Sequence, residues 1–138
     1  MGADTPFQYF AWVDHVHDGD TVMVKLDMGL QHYLGGLPSL QSLDPPGAYY
    51  SLRFYGINAP ELTSSDPATR TAAQASRDHL ETLVKPGDYI KVVSYHWDKF
   101  GMRIDAIPYA GPFNADGSGG TDLCQAQLDG GFAVPYLP

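Results

Sequence analysis

With 138 residues, 43% hydrophobic and 12% aromatic, the chain carries enough apolar material for one folded domain, which excludes the disordered class. Sixteen acidic residues against eight basic ones leave a net charge of −8 with no basic cluster, excluding a broad electrostatic grip on nucleic-acid backbone. The lone Cys124 excludes an internal disulfide and a cysteine-built metal site, and no apolar run is long enough to cross a bilayer.

The N-terminal stretch contains Asp4 and has no basic start. The expectation is therefore an intracellular protein without a secretory signal, or one packaged in a larger assembly, with no membrane role. Residues 7–16, rich in aromatic and β-branched side chains, read as a first strand that ends at Asp18-Gly19-Asp20-Thr21. Asp-Gly is a turn signal, because glycine accepts backbone angles that close a tight corner. Short carboxylates at such a corner face solvent or hold a hard cation. Residues 21–27 alternate, with Val22, Val24 and Leu26 on one side and Thr21, Met23, Lys25 and Asp27 on the other, as a half-buried strand does. Residues 29–50 form an irregular connection holding Gly35, Gly36, Pro38, Pro45 and Pro46, with leucines every three or four positions. It reads as a flap on its own barrel or as a docking surface for a protein partner.

Residues 51–55 read as a third strand, followed by a loop fixed by Pro60. Asp66-Pro67 opens a helix, an acid at the cap and proline at the first helical position. Its expected apolar face is Ala68, Ala72, Ala75, Leu80, Leu83 and Val84, and Pro86-Gly87 stops it. A fourth strand over 89–95, a turn over 98–101 and a fifth strand over 102–108 follow. A glycine-rich loop then spans 109–121, and a last helix runs over 122–129 to Gly130-Gly131. This order predicts an α+β, mainly β, single domain over 1–138: a five-stranded OB-fold-type barrel with two to three helices. Asn114, Asp116, Ser118 and Gly119 echo a calcium loop but lack its leading aspartate and closing glutamate, so a hairpin loop is expected. His15, His17, His32, His79 and His96 show no metal-ligand spacing, and Cys124 reads as a small buried hydrophobe.

Five landmarks carry a resemblance: Asp18-Gly19-Asp20-Thr21, Leu52-Arg53, Gly56-Ile57-Asn58-Ala59-Pro60-Glu61, Asp98-Lys99-Phe100-Gly101 and Leu128-Asp129-Gly130-Gly131-Phe132-Ala133. In this order, over residues 12–133, the chain resembles the staphylococcal nuclease (thermonuclease) family, with 29–50 as an oversized insert. The resemblance implies a calcium-dependent phosphodiesterase acting on DNA, RNA or both. It implies Asp20, Asn58 and the Ala59 carbonyl as Ca2+ ligands, Glu61 as the base or water-orienting group, and Arg53 as the first phosphate clamp. Such residue types suit the chemistry, since calcium takes oxygen ligands and a guanidinium forks onto phosphate oxygens.

Two positions depart from the pattern. Asn58 stands where the family has a carboxylate, which implies a weakened calcium site. Met102 stands where the family has a second arginine. Arg103, the next residue, takes that catalytic role only if a bulge turns it toward the site, since a one-residue shift along a strand reverses the face. For Arg53 an ion pair with Asp20 or Glu61 remains the alternative to a phosphate clamp. The alternative function is a catalytically degenerate barrel used for binding or as a component of a larger assembly, such as a viral particle, with a protein partner at the 29–50 insert.

Overall fold

The computed structural model describes residues 7–27, 50–98 and 103–136. The leucine-bearing insert (except Tyr50), His32, Lys99 to Gly101 and Met102 lie outside the described residues. Among the described residues, eight strands and two helices follow in chain order: β1 (Phe7–Asp18), β2 (Thr21–Asp27), β3 (Tyr50–Phe54), β4 (Ile57–Asn58), α1 (Pro67–Leu83), β5 (Tyr89–Asp98), β6 (Arg103–Phe113), β7 (Gly119–Asp122), α2 (Leu123–Asp129) and β8 (Val134–Pro135).

Strands β3, β2, β1, β5 and β6 are neighbours in that order, and a parallel β3–β6 pairing closes them into a five-stranded barrel. The result is an OB-fold-like α+β barrel. Alternation builds its interior. Val22, Val24 and Leu26 of β2, Leu52 and Phe54 of β3, Ile90 and Val92 of β5, and Ile104 and Ala106 of β6 are all buried. Each large apolar side chain among them contributes about 1.5–3 kcal/mol by leaving water. Helix α1 closes one side. Asp66 caps it by accepting from the Thr69 amide and hydroxyl, with Pro67 at the first helical position.

Several expectations need correction. The buried face of α1 is Ala73, Ser76 and Leu80, whereas Ala68, Ala72 and Ala75 are exposed. An alanine stripe is too small to set a helix's rotation alone; the large Leu80 decides it, and positions three and four residues apart follow. The expected 109–121 loop is mostly strand. β6 continues to Phe113, and β7 returns along it with the turn confined to 114–118. Lys91, placed outward by alternation, is nonetheless covered by this hairpin. Its Nζ donates to the Gly117 and Gly119 carbonyls at 3.3 and 3.1 Å and sits over the Tyr109 ring. Strands β4 and β8 are not anticipated by the sequence pattern. They pair only with each other, at two residues apiece.

Gly19 was expected to serve the turn through its backbone angles. Its φ is not among the positive ones. What requires glycine is the approach of α1: a Cβ there would meet Ser76 Oγ at 1.8 Å and Ser76 Cβ at 2.7 Å. Gly19→Ala is therefore expected to destabilise the fold by about 1–3 kcal/mol through overpacking. Urea unfolding measures this, and an unchanged midpoint would contradict so close an approach of α1 to the turn.

Candidate functional site

Three segments far apart in the sequence meet at the mouth between β1 and β2. Asp20 follows β1 and is only 6% exposed. Arg53 lies on the outward side of β3 because Leu52 and Phe54 take the inward positions, and its register partner is Thr21. Asn58 ends β4, brought round by the Tyr55-Gly56 turn, where Gly56 has φ +85°. Pairing of Asn58 with Val134 of β8 holds that loop against the barrel.

The hydrogen bonds are specific. Asp20 Oδ2 accepts from the Ala59 amide at 2.8 Å, and Asp20 Oδ1 accepts from the Thr21 hydroxyl at 3.1 Å. Arg53 Nη2 donates to Asn58 Oδ1 at 2.8 Å. Arg53 Nη1 lies 2.7 Å from Asp20 Oδ2, close enough for a strong charge interaction. This nitrogen is buried and has no aligned acceptor, so the contact is an ion pair without a linear hydrogen bond. One guanidinium thus bridges the carboxylate of Asp20 and the amide oxygen of Asn58.

Of the remaining expected residues, Ala59 touches this cluster and Glu61 and Arg103 stand apart from it. Ala59 is buried and contributes its amide to Asp20, and Glu61 is exposed two residues further along the same loop. Arg103 opens β6 opposite Ser51, while Asp105 lies opposite Arg53. No irregularity interrupts β3–β6 pairing there; the bulge in this region falls in β5, between Ser94 and His96. Arg103 is turned onto Asp105, its Nε donating to Oδ1 at 2.9 Å, and His96 faces the other Asp105 oxygen at 3.3 Å. Cys124 is buried, and burial, then the nearby Asp122 charge, pushes its thiol up to about 12. It has none of the thiolate character a nucleophile needs.

Asp18 adjoins the cluster, although only Asp20 of the two corner carboxylates is named as a ligand from the resemblance. Its Oδ1 accepts the Asp20 backbone amide at 3.1 Å, and His17 Nδ1 lies 3.1 Å from its Oδ2. The two carboxylates titrate as a pair. Burial, then the interaction with Asp18, raises Asp20 to about 6. Burial also works to raise Asp18, but hydrogen bonds from the Asp20 side chain and amide and from His17 outweigh it and hold Asp18 below the usual range.

Sequence reasoning also missed Ser76, His79 and Gln127. Gln127 is wholly buried, and its Nε2 donates to the Gly19 carbonyl at 2.7 Å. A signal was present. Gln127 lies three and four residues past Cys124 and Leu123, and Ser76 three past Ala73 and four before Leu80, so each is a polar residue on a buried helical face.

As cation ligands, Asp20 and Asn58 direct oxygens at one positive centre, which is the convergence a hard cation needs. The set carries one formal charge, with Asp18 adding a second nearby, so it fits a weakly held ion. Among the described residues no three His, Cys, Asp or Glu side chains form a metal-holding group. No described helix is long and apolar enough to cross a membrane. Comparison with protein-family models and with curated proteins finds no match to this chain.

A carboxyl raised in the folded state binds its proton more tightly there than in the unfolded chain. Its ionisation therefore costs stability as pH rises from its ordinary 3.8 through about 6. Asp20→Asn removes that titration. Relative to this variant, the wild type is expected to lose stability progressively across that interval in urea unfolding at stepped pH. Parallel profiles would contradict the assignment.

Proposed function

We propose that this barrel is a divergent nuclease-type phosphodiesterase, akin to the staphylococcal nuclease family, acting on DNA, RNA or both with Ca2+. The observation that carries the reading is the convergence of the Asp20 carboxylate and the Asn58 amide oxygen on the Arg53 guanidinium, with the Ala59 amide on Asp20, in an OB-fold-like barrel. Random placement on a barrel surface does not bring a carboxylate, an amide oxygen and an arginine from three segments to one point.

The roles follow from the chemistry of each group. The buried Arg53 Nη1 has charge and N–H capacity that its ion pair leaves misaligned, and a phosphate oxygen is the acceptor such a nitrogen best accommodates. Binding there draws the guanidinium partly off Asp20 and Asn58, freeing their oxygens. Asp20, Asn58 and the Ala59 carbonyl would then hold calcium, which when bound polarises a phosphoryl group. Glu61, exposed beside this loop, orients or deprotonates the attacking water. Arg53 stabilises the charge that builds on the phosphate. Arg103 adds to this only by leaving Asp105.

A second reading is supported by the charge distribution. Each described arginine already faces an acceptor of its own chain: Asp20 and Asn58 for Arg53, Ser64 carbonyl for Arg70, Glu81 for Arg77 and Asp105 for Arg103. With a net charge of −8, such a surface suits a catalytically silent barrel that binds a protein partner or serves a larger assembly.

Incubation with single-stranded and duplex DNA and with RNA, with calcium or chelator, separates the two readings. The enzyme reading expects calcium-dependent cleavage that falls by about 10²–10³-fold in Arg53→Ala and about 10²–10⁴-fold in Glu61→Gln. Cleavage indifferent to chelator and to Glu61→Gln, or no cleavage at all even in Asn58→Asp, would reject it in favour of the second reading.

A further inference from the structure

The Asp18–Asp20 corner is gripped from the core by a buried polar chain that neither metal binding nor phosphate binding requires. The side-chain amide orientation of Gln127 is fixed by its surroundings. Nε2 faces two backbone carbonyls, Gly19 at 2.7 Å and Ser76 at 3.1 Å, and carbonyls only accept. Oε1 therefore faces His79 Nδ1 at 2.5 Å, and that nitrogen must carry the proton. His79 is itself fixed by stacking on Phe132, with ring centroids 4.2 Å apart and an interplanar angle of 18°. Ser76 Oγ accepts from Gln127 Nε2 at 3.2 Å and donates to the Phe132 carbonyl at 2.9 Å. Donors and acceptors in this chain are used in one sense only.

The consequence falls on one peptide group. Between Gly19 and Asp20 the carbonyl is held by Gln127, while the amide N–H is held by Asp18 Oδ1 at 3.1 Å. A peptide unit is planar, so fixing both of its ends fixes the Asp20 Cα and the N–Cα axis about which its side chain turns, leaving the carboxylate's final orientation to the groups that meet its oxygens. Opposite, the Ala59 amide meets that side chain at 2.8 Å.

We infer that Gln127, set by His79, is a positioning residue that clamps the Gly19–Asp20 peptide and thereby aims the Asp20 carboxylate at Arg53 and Ala59. It touches neither substrate nor reacting atoms, and its effect on turnover rests on the phosphodiesterase reading. The clamp itself does not.

Gln127→Leu keeps the side-chain volume and removes the donor, leaving a buried carbonyl unpaired. In the full chain, amide hydrogen exchange followed by NMR is expected to quicken about tenfold or more at Asp20 and Ala59, with amides of Val22, Leu52 and Ile104 unchanged. His79→Asn, whose Nδ2 can donate from nearly the place of Nδ1, is expected to retain the wild-type exchange, and His79→Phe to resemble Gln127→Leu. If the wild type cleaves nucleic acid, kcat of Gln127→Leu falls about tenfold while KM stays within about twofold. Exchange at Asp20 and Ala59 changed by less than about twofold, or quickened equally throughout the barrel, overturns the clamp. His79→Asn behaving as His79→Phe overturns the part given to His79. A chain that cleaves nothing, even as Asn58→Asp, defeats the phosphodiesterase reading and leaves the exchange comparison to decide the clamp.

Discussion

A carboxylate nearly shut off from water stands at the first corner of this barrel, with a guanidinium 2.7 Å away. Burying either charge alone is costly, and pairing makes both tolerable only where the remaining lone pairs and protons also find partners. In this barrel they nearly do. The Ala59 amide and Thr21 hydroxyl complete Asp20, and Asn58 takes the second arm of Arg53. One nitrogen of Arg53 remains without an aligned acceptor.

Everything that positions this pair is set by the barrel. Outward placement of Arg53 follows from the inward placement of Leu52 and Phe54, and its register opposite Thr21 brings it beside Asp20. The short β4–β8 ladder carries Asn58 and Ala59 to the same spot. From behind, Ser76 and Gln127 reach the corner through a gap that only a glycine at position 19 leaves open. Packing density on one side and charge on the other therefore converge on a single turn. Hydrogen bonds run from Ser76 of α1 through Gln127 of α2 to the Gly19 carbonyl beside Asp20.

Much of this was readable in advance, for physical reasons. Val22, Val24 and Leu26 alternate because one face of β2 is buried, so the strand's ends and inward set were both recoverable. Asp66-Pro67 marked the start of α1, since a capping acid and a proline satisfy the needs of a first helical turn. Asp20, Arg53 and Asn58 came from motif order. What alternation and motifs could not supply was long-range partnership. Nothing local indicates that Gln127 bonds a carbonyl 108 residues earlier, or that Lys91 is roofed by a hairpin. The two-residue strands β4 and β8 are too short to show a period, and the alanines of α1 misdirected its face because small side chains carry little burial preference. Gly19 was identified as necessary for the wrong reason, since a sequence displays turn propensity but not the helix that later presses on the turn.

The ion pair at the centre can be weighed directly. A double-mutant cycle combining Asp20→Asn with Arg53→Met, read by urea unfolding at neutral pH, isolates the coupling between the two side chains. Their mutual dependence predicts a coupling of about 1–3 kcal/mol, with the double variant more stable than the sum of the single losses implies. Losses that add to within about 0.5 kcal/mol would show that Asp20 and Arg53 do not sustain each other at the barrel mouth.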